Sequence, residues 1–519
     1  MLTRQVVPLI ARLCLLLVAG LLAGCARALP PVDHGPVLAV SSVADSFTTD
    51  QSRMHLDPDS PLSAFRLLDT GRDAFIVRSA LIETASKRID AQYYIWNDDA
   101  SGRYLAGRLV AAADRGVQVR LLLDDINVAG KESLFAMMEA HPAISIRIFN
   151  PSPSRKGVGR WLSFLTDFDR INRRMHNKTF VVDGNVGITG GRNIGDEYFD
   201  EHPELNFRDR DVMVLGPLAG AMTDNFEAYW QSPWSYPLGQ LYELPESARA
   251  GDRLSGLSRA NSESLPFAAS VPQGRGQAES LLAGWFADMV TAEAVLVFDP
   301  PPEDLEAPAD KPRHTAKALF GLIESARHEI LIESAYLILA DEQLNGLDNL
   351  GNHGLKVAAI TNSLATNDLV TNHSGYARWR REMLEQGFEL YELRPHAPAC
   401  KRWVANEQAC DNGVVSLHSK AVVFDRETLF IGSFNVNLRS IYLNGETVLV
   451  IRSPQLARTV AEDIELAMAP ENSWRVSLNE QGSLVWQSRD GEVYQEPESG
   501  FWRRAASRVL SWLSIEKYL

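Results

Sequence analysis

Apolar positions along this chain alternate between the two-residue period of strands and the longer period of helices, and the same succession occurs twice. Ala91-Gln92-Tyr93-Tyr94-Ile95 reads as a strand, and Tyr104 to Ala113 carries helical spacing at Leu105, Leu109 and Ala112. Gly116 ends that helix, and Val117-Gln118-Val119-Arg120-Leu121-Leu122-Leu123 reads as a long apolar strand. Strand, helix, strand in this order predicts a parallel pair joined by a right-handed crossover. Ile144, Ile146 and Ile148 alternate as a further strand. The second half repeats the plan, with a strand over Glu329 to Tyr336, another over Leu355 to Ile360, a helix over Ala377 to Gln386 and a strand over Phe388 to Leu393. Gly354 precedes its strand as Gly116 does, at an offset of 238 residues.

Two polar strings follow a nearly equal offset. His176-Asn-Lys178 and His418-Ser-Lys420 stand 242 residues apart. Asp183 lies five residues past the first lysine and Asp425 five past the second; Gly190-Gly191-Arg192-Asn193 and Gly432-Ser433-Phe434-Asn435 come next. By chance, one such His-x-Lys-x4-Asp string is expected about 0.01 times in a chain with this composition. The repeat therefore covers whole domains. Each string opens an apolar stretch, so its histidine and lysine, two residues apart, project to one face. Asp183-Gly184 suits a tight turn into Val186 to Thr189, a hairpin that returns Asn193 to the histidine.

Composition narrows the partners. The net charge of −15 argues against non-specific coating of nucleic acid, which needs lysine and arginine in excess. A local basic cluster runs against that balance. Arg155, Lys156, Arg160, Arg170, Arg173, Arg174 and Lys178 face only Asp167 and Asp169 across 151–178, immediately before the first motif. Segment 236–310 lacks strong periodicity and reads as a connection with some packing onto the second domain.

The start of the chain reads as a targeting segment. Arg4 and Arg12 precede an apolar run, Leu13 to Ala23, too short to span a bilayer. It ends in Leu22-Ala23-Gly24-Cys25, the pattern of a bacterial lipoprotein cleavage box, which would make Cys25 the lipid-bearing residue. Ala26 after that cysteine favours the outer membrane over the inner one. Residues 26–55 read as a tether. Outside the cytoplasm, Cys400 and Cys410, ten residues apart, are expected to form a disulfide, and no second Cys/His pair stands at metal-ligand spacing nearby.

Paired imidazoles and ammoniums suit displacement at a phosphodiester, which needs a nucleophile, a leaving-group acid and neutralisation of the phosphoryl oxygens. His176 and His418 can supply the first two and exchange them in a second half-reaction. Lys178, Lys420, Asn193 and Asn435 can hold the oxygens, so no metal or other cofactor is called for. A nucleophilic imidazole also needs its second nitrogen held by a carboxylate or carbonyl. The candidates are Glu446, 28 residues after His418, and Asp209, 33 residues after His176. Asp183 and Asp425 stand at strand ends, where a turn or salt-bridge role is expected.

These strings resemble the phospholipase D superfamily, whose two copies form one site. Gln92-Tyr93-Tyr94-Ile95-Trp96, Ile171 to Lys178, Gly190 to Asp196, Thr361 to Leu364, Gly375 to Trp379 and Ile431 to Asn435 resemble, more narrowly, bacterial cardiolipin synthases of the C type. The resemblance covers the chain from about residue 60 onward. It implies an α/β fold of two tandem α-β-α sandwich domains with pseudo-twofold symmetry, the site at their interface, and Asp183 and Asp425 as signature members of that site. It also implies ping-pong transfer of a phosphatidyl group from phosphatidylglycerol or a related lipid, with His176 as nucleophile and His418 as acid, then base. The resulting plan is a leader over 1–24, a tether over 25–58, domains over 59–235 and 311–470 joined by 236–310, and an extension over 471–519. In that extension, Trp502, Ala505, Val509, Trp512 and Leu513 share one helical face, and Arg503, Arg504, Ser507, Arg508 and Ser511 the other, a pattern suited to an anionic membrane surface. The partners expected are phospholipids and a membrane, not nucleic acid, and the location is lipid-anchored on the periplasmic side. With water as acceptor, the same site is a phospholipase D; a nuclease of the same superfamily is disfavoured by the acidity and the anchor.

Overall fold

The computed structural model describes residues 46–153, 167–242, 270–345 and 354–513 except 58, 129 and 306, together with 29, 31–32, 256 and 516–519. The leader, Cys25, most of the tether, and Arg155, Lys156 and Arg160 lie outside the described residues.

Two sheets carry the repeat, strand for strand. The first runs Ser235–Pro237, Ile144–Phe149, Gln118–Asp124, Arg88–Tyr93, Thr179–Val182, Val186–Gly190, Asp211–Leu215, Ser63–Leu68. The second runs Ser473–Leu478, Glu389–Leu393, Lys356–Asn362, Glu329–Ser334, Lys420–Phe424, Thr428–Gly432, Thr447–Arg452, Val290–Phe298. In both, the three strands that begin the repeat's crossovers pair in parallel and the rest antiparallel. Ser63–Phe65 also pairs with Val290–Ala292, so Val290–Phe298 joins the two sheets.

Apolar side chains on both faces of the strands explain why helices cover both. Phe180 and Val182 enter one core with Phe75 and Leu105, from the helices Gly71–Thr84 and Ala100–Asp114. Val181 points the other way, toward Met222 of the helix Pro217–Trp230. The core that holds Val181, Val212 and Met222 continues into Leu331, Val423 and Leu449 of the second repeat. The repeats therefore share apolar packing, which fixes their relative placement far better than a polar interface would.

Several boundaries differ from the periodicity reading. The helix Phe47–His55 occupies part of the expected tether, seated by the Phe47 ring 6.2 Å from that of Phe286. Within the expected connection, Arg275–Ala287 packs on Gly71–Thr84, and Val290–Phe298 is the second repeat's counterpart of Ser63–Leu68. Ser473–Leu478, in the expected extension, completes the second sheet as Ser235–Pro237 completes the first. Cys400 and Cys410 are bonded, with Cα atoms 5.7 Å apart. Among the described residues, no helix is long and apolar enough to cross a membrane.

Candidate active site

Each motif histidine is the first residue after a stretch of chain that pairs with the other repeat. Val414–Leu417 runs parallel to Leu205–Arg208, and the amides of His418 and Ser419 donate to the Arg208 carbonyl at 2.8 and 3.0 Å. Across the pseudo-twofold axis, Met175 bridges to Gly445: the His176 amide donates to Gly445 at 2.8 Å, and the Gly445 amide to Arg174 at 2.8 Å. The pattern hands each histidine to an acid from the opposite repeat. His176 Nδ1 lies 2.8 Å from Glu446 Oε2, and His418 Nδ1 lies 2.6 Å from Asp209 Oδ2. A protonated Nδ1 facing a carboxylate leaves Nε2 of each ring as the reactive nitrogen.

The acids are themselves fixed. Glu446 accepts from Ser433, from Ser440 at 2.8 Å and from Asn444 at 3.2 Å. Asp209 accepts from the Arg210 amide at 2.7 Å. Close approach explains two glycines beside them. A Cβ on Gly191 would lie 2.1 Å from Asp209 Oδ1, and one on Gly445 would lie 1.8 Å from Tyr229 Oη.

Burial governs the protonation of the site. It pushes His176 and His418 down to about 4, against the opposing pull of Glu446 and Asp209. It likewise lowers Lys178 to about 7 and Lys420 to about 8. Burial alone would raise Asp209 and Glu446, but the adjacent histidines and lysines outweigh it and hold both carboxyls below the ordinary range. The site thus holds two neutral imidazoles, two carboxylates and two lysines whose full charge an adjacent anion would favour.

Lys178 Nζ donates to the His176 carbonyl at 2.7 Å; Lys420 Nζ reaches the His418 carbonyl and lies 2.9 Å from its Nδ1. Asn193 accepts from the Ile95 amide at 3.1 Å and donates to Tyr198 at 3.0 Å. Asn435 is buried, and its Oδ1 has no hydrogen-bond partner among the described residues. The structure places Asp183 and Asp425 apart from these groups, in the turns that follow the strands Thr179–Val182 and Lys420–Phe424. Asp183 accepts from the amides of Ser86, Lys87 and Arg88 at 3.0, 2.8 and 2.9 Å. Asp425 does the same for Arg327, His328 and Glu329 at 2.9, 2.7 and 3.0 Å. Both have φ of 52°, the left-handed turn conformation that asparagine and aspartate tolerate. They tie the hairpin of each motif to the neighbouring strand, the turn role expected of them.

The three described arginines of the basic cluster are also structural. Arg174 pairs with Asp124 at 2.9 Å, Arg170 donates to Asn150 at 2.6 Å and Arg173 to the Ala307 carbonyl. The site instead has aromatic walls that composition did not single out. The Tyr94 ring centroid is 4.9 Å from that of His176; those of Tyr198 and Phe207 are 5.2 and 4.9 Å from that of His418. Tyr94 stands inside one of the segments that carry the family resemblance, which was its only signal. Tyr336, bonded to both Asp368 oxygens at 3.0 and 2.9 Å, lies within electrostatic reach of Tyr94 and Tyr198. Among the described residues, His373, Glu392 and Glu496 have the spacing of metal ligands, but Arg380 already pairs with both acids at 2.7 Å.

The arrangement has counterparts elsewhere. Residues 79–230 and 319–467 match the family described as cardiolipin synthase, PLD-like domain, one copy per repeat. Cardiolipin synthase C of Escherichia coli K12 is 37% identical over 463 residues, 86% of this chain and 94% of that protein. A cardiolipin synthase of Geobacillus kaustophilus is 26% identical over 76% of this chain and 64% of that protein. The crystal structure of phosphatidylserine synthase from Haemophilus influenzae superposes with a TM-score of 0.56 at 15% identity, covering 91% of this chain and all of that one, and shares the fold. With one family match per repeat and one shared site between them, the chain belongs to the phospholipase D-like cardiolipin synthase family, whose members are phosphatidyltransferases.

Proposed function

We propose that the chain makes cardiolipin, moving a phosphatidyl group from phosphatidylglycerol or a related phospholipid to the hydroxyl of a second phosphatidylglycerol. Nε2 of His176 attacks phosphorus, and the bond from phosphorus to the head-group oxygen breaks. His418 passes its Nε2 proton to that oxygen, so the head-group alcohol departs neutral. The phosphatidyl group stays on His176, whose Nδ1–H faces Glu446. His418, now neutral, takes the proton of the incoming hydroxyl as its oxygen bonds to phosphorus and the phosphorus–nitrogen bond breaks. His418 is thereby reprotonated for the next turnover.

Electrostatics support the sequence of steps. Buried His176 is neutral before the donor arrives, as a nucleophile must be. The phosphodiester anion brings a negative charge beside Lys178, Lys420 and His418, which favours their protonated forms. The carrying observation is the crossed pairing, His176 with Glu446 and His418 with Asp209, which aligns two ionisable rings in one site. We also propose that Cys25 anchors the enzyme on the periplasmic side, where the lipoprotein box would deliver it.

The test is incubation of the purified enzyme with phosphatidylglycerol labelled in its acyl chains and, separately, in its head group. Labelled cardiolipin with one glycerol released per product is expected. Phosphatidic acid as the only lipid product would overturn the reading in favour of hydrolysis.

A further inference from the structure

Amphipathic helices in folded proteins turn their apolar side inward. The helix Phe501–Leu510 does the reverse. It lies on the helix Val370–Glu385 with Ser507 buried and the Ser507 hydroxyl 3.2 Å from His373 Nδ1. Arg503 is directed inward as well, donating to the carbonyls of Leu364 and Asn367. Solvent meets Phe501, Trp502, Val509, Trp512 and Leu513, with Trp502 and Trp512 exposed by 82% and 78%. Leu369, two residues from Asn367, is exposed beside them. Six of the nine large hydrophobic side chains exposed among the described residues thus gather around one helix, more than a solvated monomer surface normally concentrates.

The strip has a definite place relative to the chemistry. Arg503 is within electrostatic reach of Asp368, which holds the Tyr336 hydroxyl and acts on Lys420. Further along, Glu516–Tyr518 and Leu519 span from one repeat to the other. The Tyr518 hydroxyl donates to Asp169 at 3.0 Å, and its ring lies 4.7 Å from that of Phe168, eight residues before His176. The carbonyls of Tyr518 and Leu519 accept from Arg439 at 3.0 Å and Asn437 at 2.9 Å, just beyond Asn435. Residues 501–513 and 516–519 therefore lie along the side of the site, flanking both motifs. Their charge is also distinct: Arg503, Arg504, Arg508 and Lys517 against Glu516, in a chain whose net charge is −15.

From this geometry we infer that Phe501, Trp502, Val509, Trp512, Leu513 and Leu369 form an interfacial docking face for an anionic phospholipid surface, seating the mouth of the active site on the layer from which head groups enter. The inference rests on the reading that the substrate is a phospholipid. Tryptophans and leucines beside arginines are what such an interface selects. An inward-turned polar side lets the helix be held by the protein and still present its apolar side to lipid.

Two measurements on the full chain test it. Hydrogen exchange read by mass spectrometry, with and without phosphatidylglycerol vesicles, should show protection over 501–513, less with phosphatidylcholine vesicles, and none in the helix Phe47–His55. Unchanged exchange over 501–513 would overturn the inference; so would protection that grows with protein concentration in vesicle-free solution, which would assign the face to a second copy. The variant W502S/W512S/L513S should turn over vesicle phosphatidylglycerol about tenfold or more slowly, yet keep activity on monomeric dihexanoyl phosphatidylglycerol within about twofold. Equal losses on both substrates would overturn the docking role. Wild-type enzyme inactive on both would instead defeat the phospholipid reading, while the exchange result would still decide whether the face binds lipid.

Discussion

In the proposed mechanism Glu446 and Asp209, in contact with Nδ1 of His176 and His418, hold the histidines in one tautomer and also supply the charge that stabilises each imidazolium as it forms. Glu446→Gln keeps the size and loses the charge, so kcat should fall on the order of 10²–10⁴-fold with little change in thermal stability. Steady-state rates beside melting curves check this. Protonation sets a second expectation. His176 must be neutral to attack, so activity is lost as pH falls toward about 4; Lys178 and Lys420 must be charged to hold phosphate, so it is lost as pH rises through about 7 to 8. His418, also at about 4 before an anion lies beside it, gains its proton as the phosphodiester binds. The bell should therefore appear in kcat, which reports the bound complex, with its alkaline limb set by loss of the His418 proton and of the lysine charges. Lys178→Arg, whose cation does not deprotonate in this range, should push the alkaline limb upward. Asp183 belongs to a different category. Asp183→Ala strands the amides of Ser86, Lys87 and Arg88, costing ~1–3 kcal/mol of stability, with the folded fraction keeping most of its kcat at low temperature.

At the scale of elements, the decisive structures are the two short pairings that carry chain from each repeat across to the other. Gly445 is part of one, and its Cα hydrogen faces the Tyr229 hydroxyl, which is bonded to the Asp299 carbonyl at 2.7 Å. Gly445→Ala should push Met175 and Gly445 apart and disturb His176 and Glu446 together. Removing the obstructing oxygen with Tyr229→Phe should restore part of the lost activity, measured as the double variant against the single. The strand Gln118–Asp124 was legible from periodicity to within one residue at each end, because it buries a regular run. The helix Val370–Glu385, by contrast, begins seven residues before the Ala377–Gln386 stretch that periodicity marked, its first two turns being largely polar. The motif residues were legible because the chain writes them twice. The crossing was not. Glu446 is nearer in sequence to His418 but serves His176, and no local pattern encodes a contact between residues 270 positions apart. Val290–Phe298 was hidden for a related reason: its half-exposed burial leaves no clean alternation, and its place is set by its partners in two sheets. The helix Phe501–Leu510 was legible as amphipathic, but its orientation depends on what Val370–Glu385 offers it.

For the whole molecule, crossed pairing means that neither repeat holds a complete half-site. Each histidine takes its acid from the other half, and the apolar core continues between them. Mixing His176→Ala and His418→Ala chains should therefore leave the preparation inactive, since both histidines of a working site come from one chain; recovered activity would mean that sites assemble between chains. In the proposed mechanism one histidine is the carrier and the other the proton shuttle. The most direct test is a rapid alkaline quench of enzyme turning over phosphatidylglycerol, followed by mass spectrometry of its peptides. The account predicts a phosphatidyl adduct on the peptide containing His176, formed as glycerol is released. An adduct on His418 instead, or steady glycerol release with neither histidine modified, would contradict it.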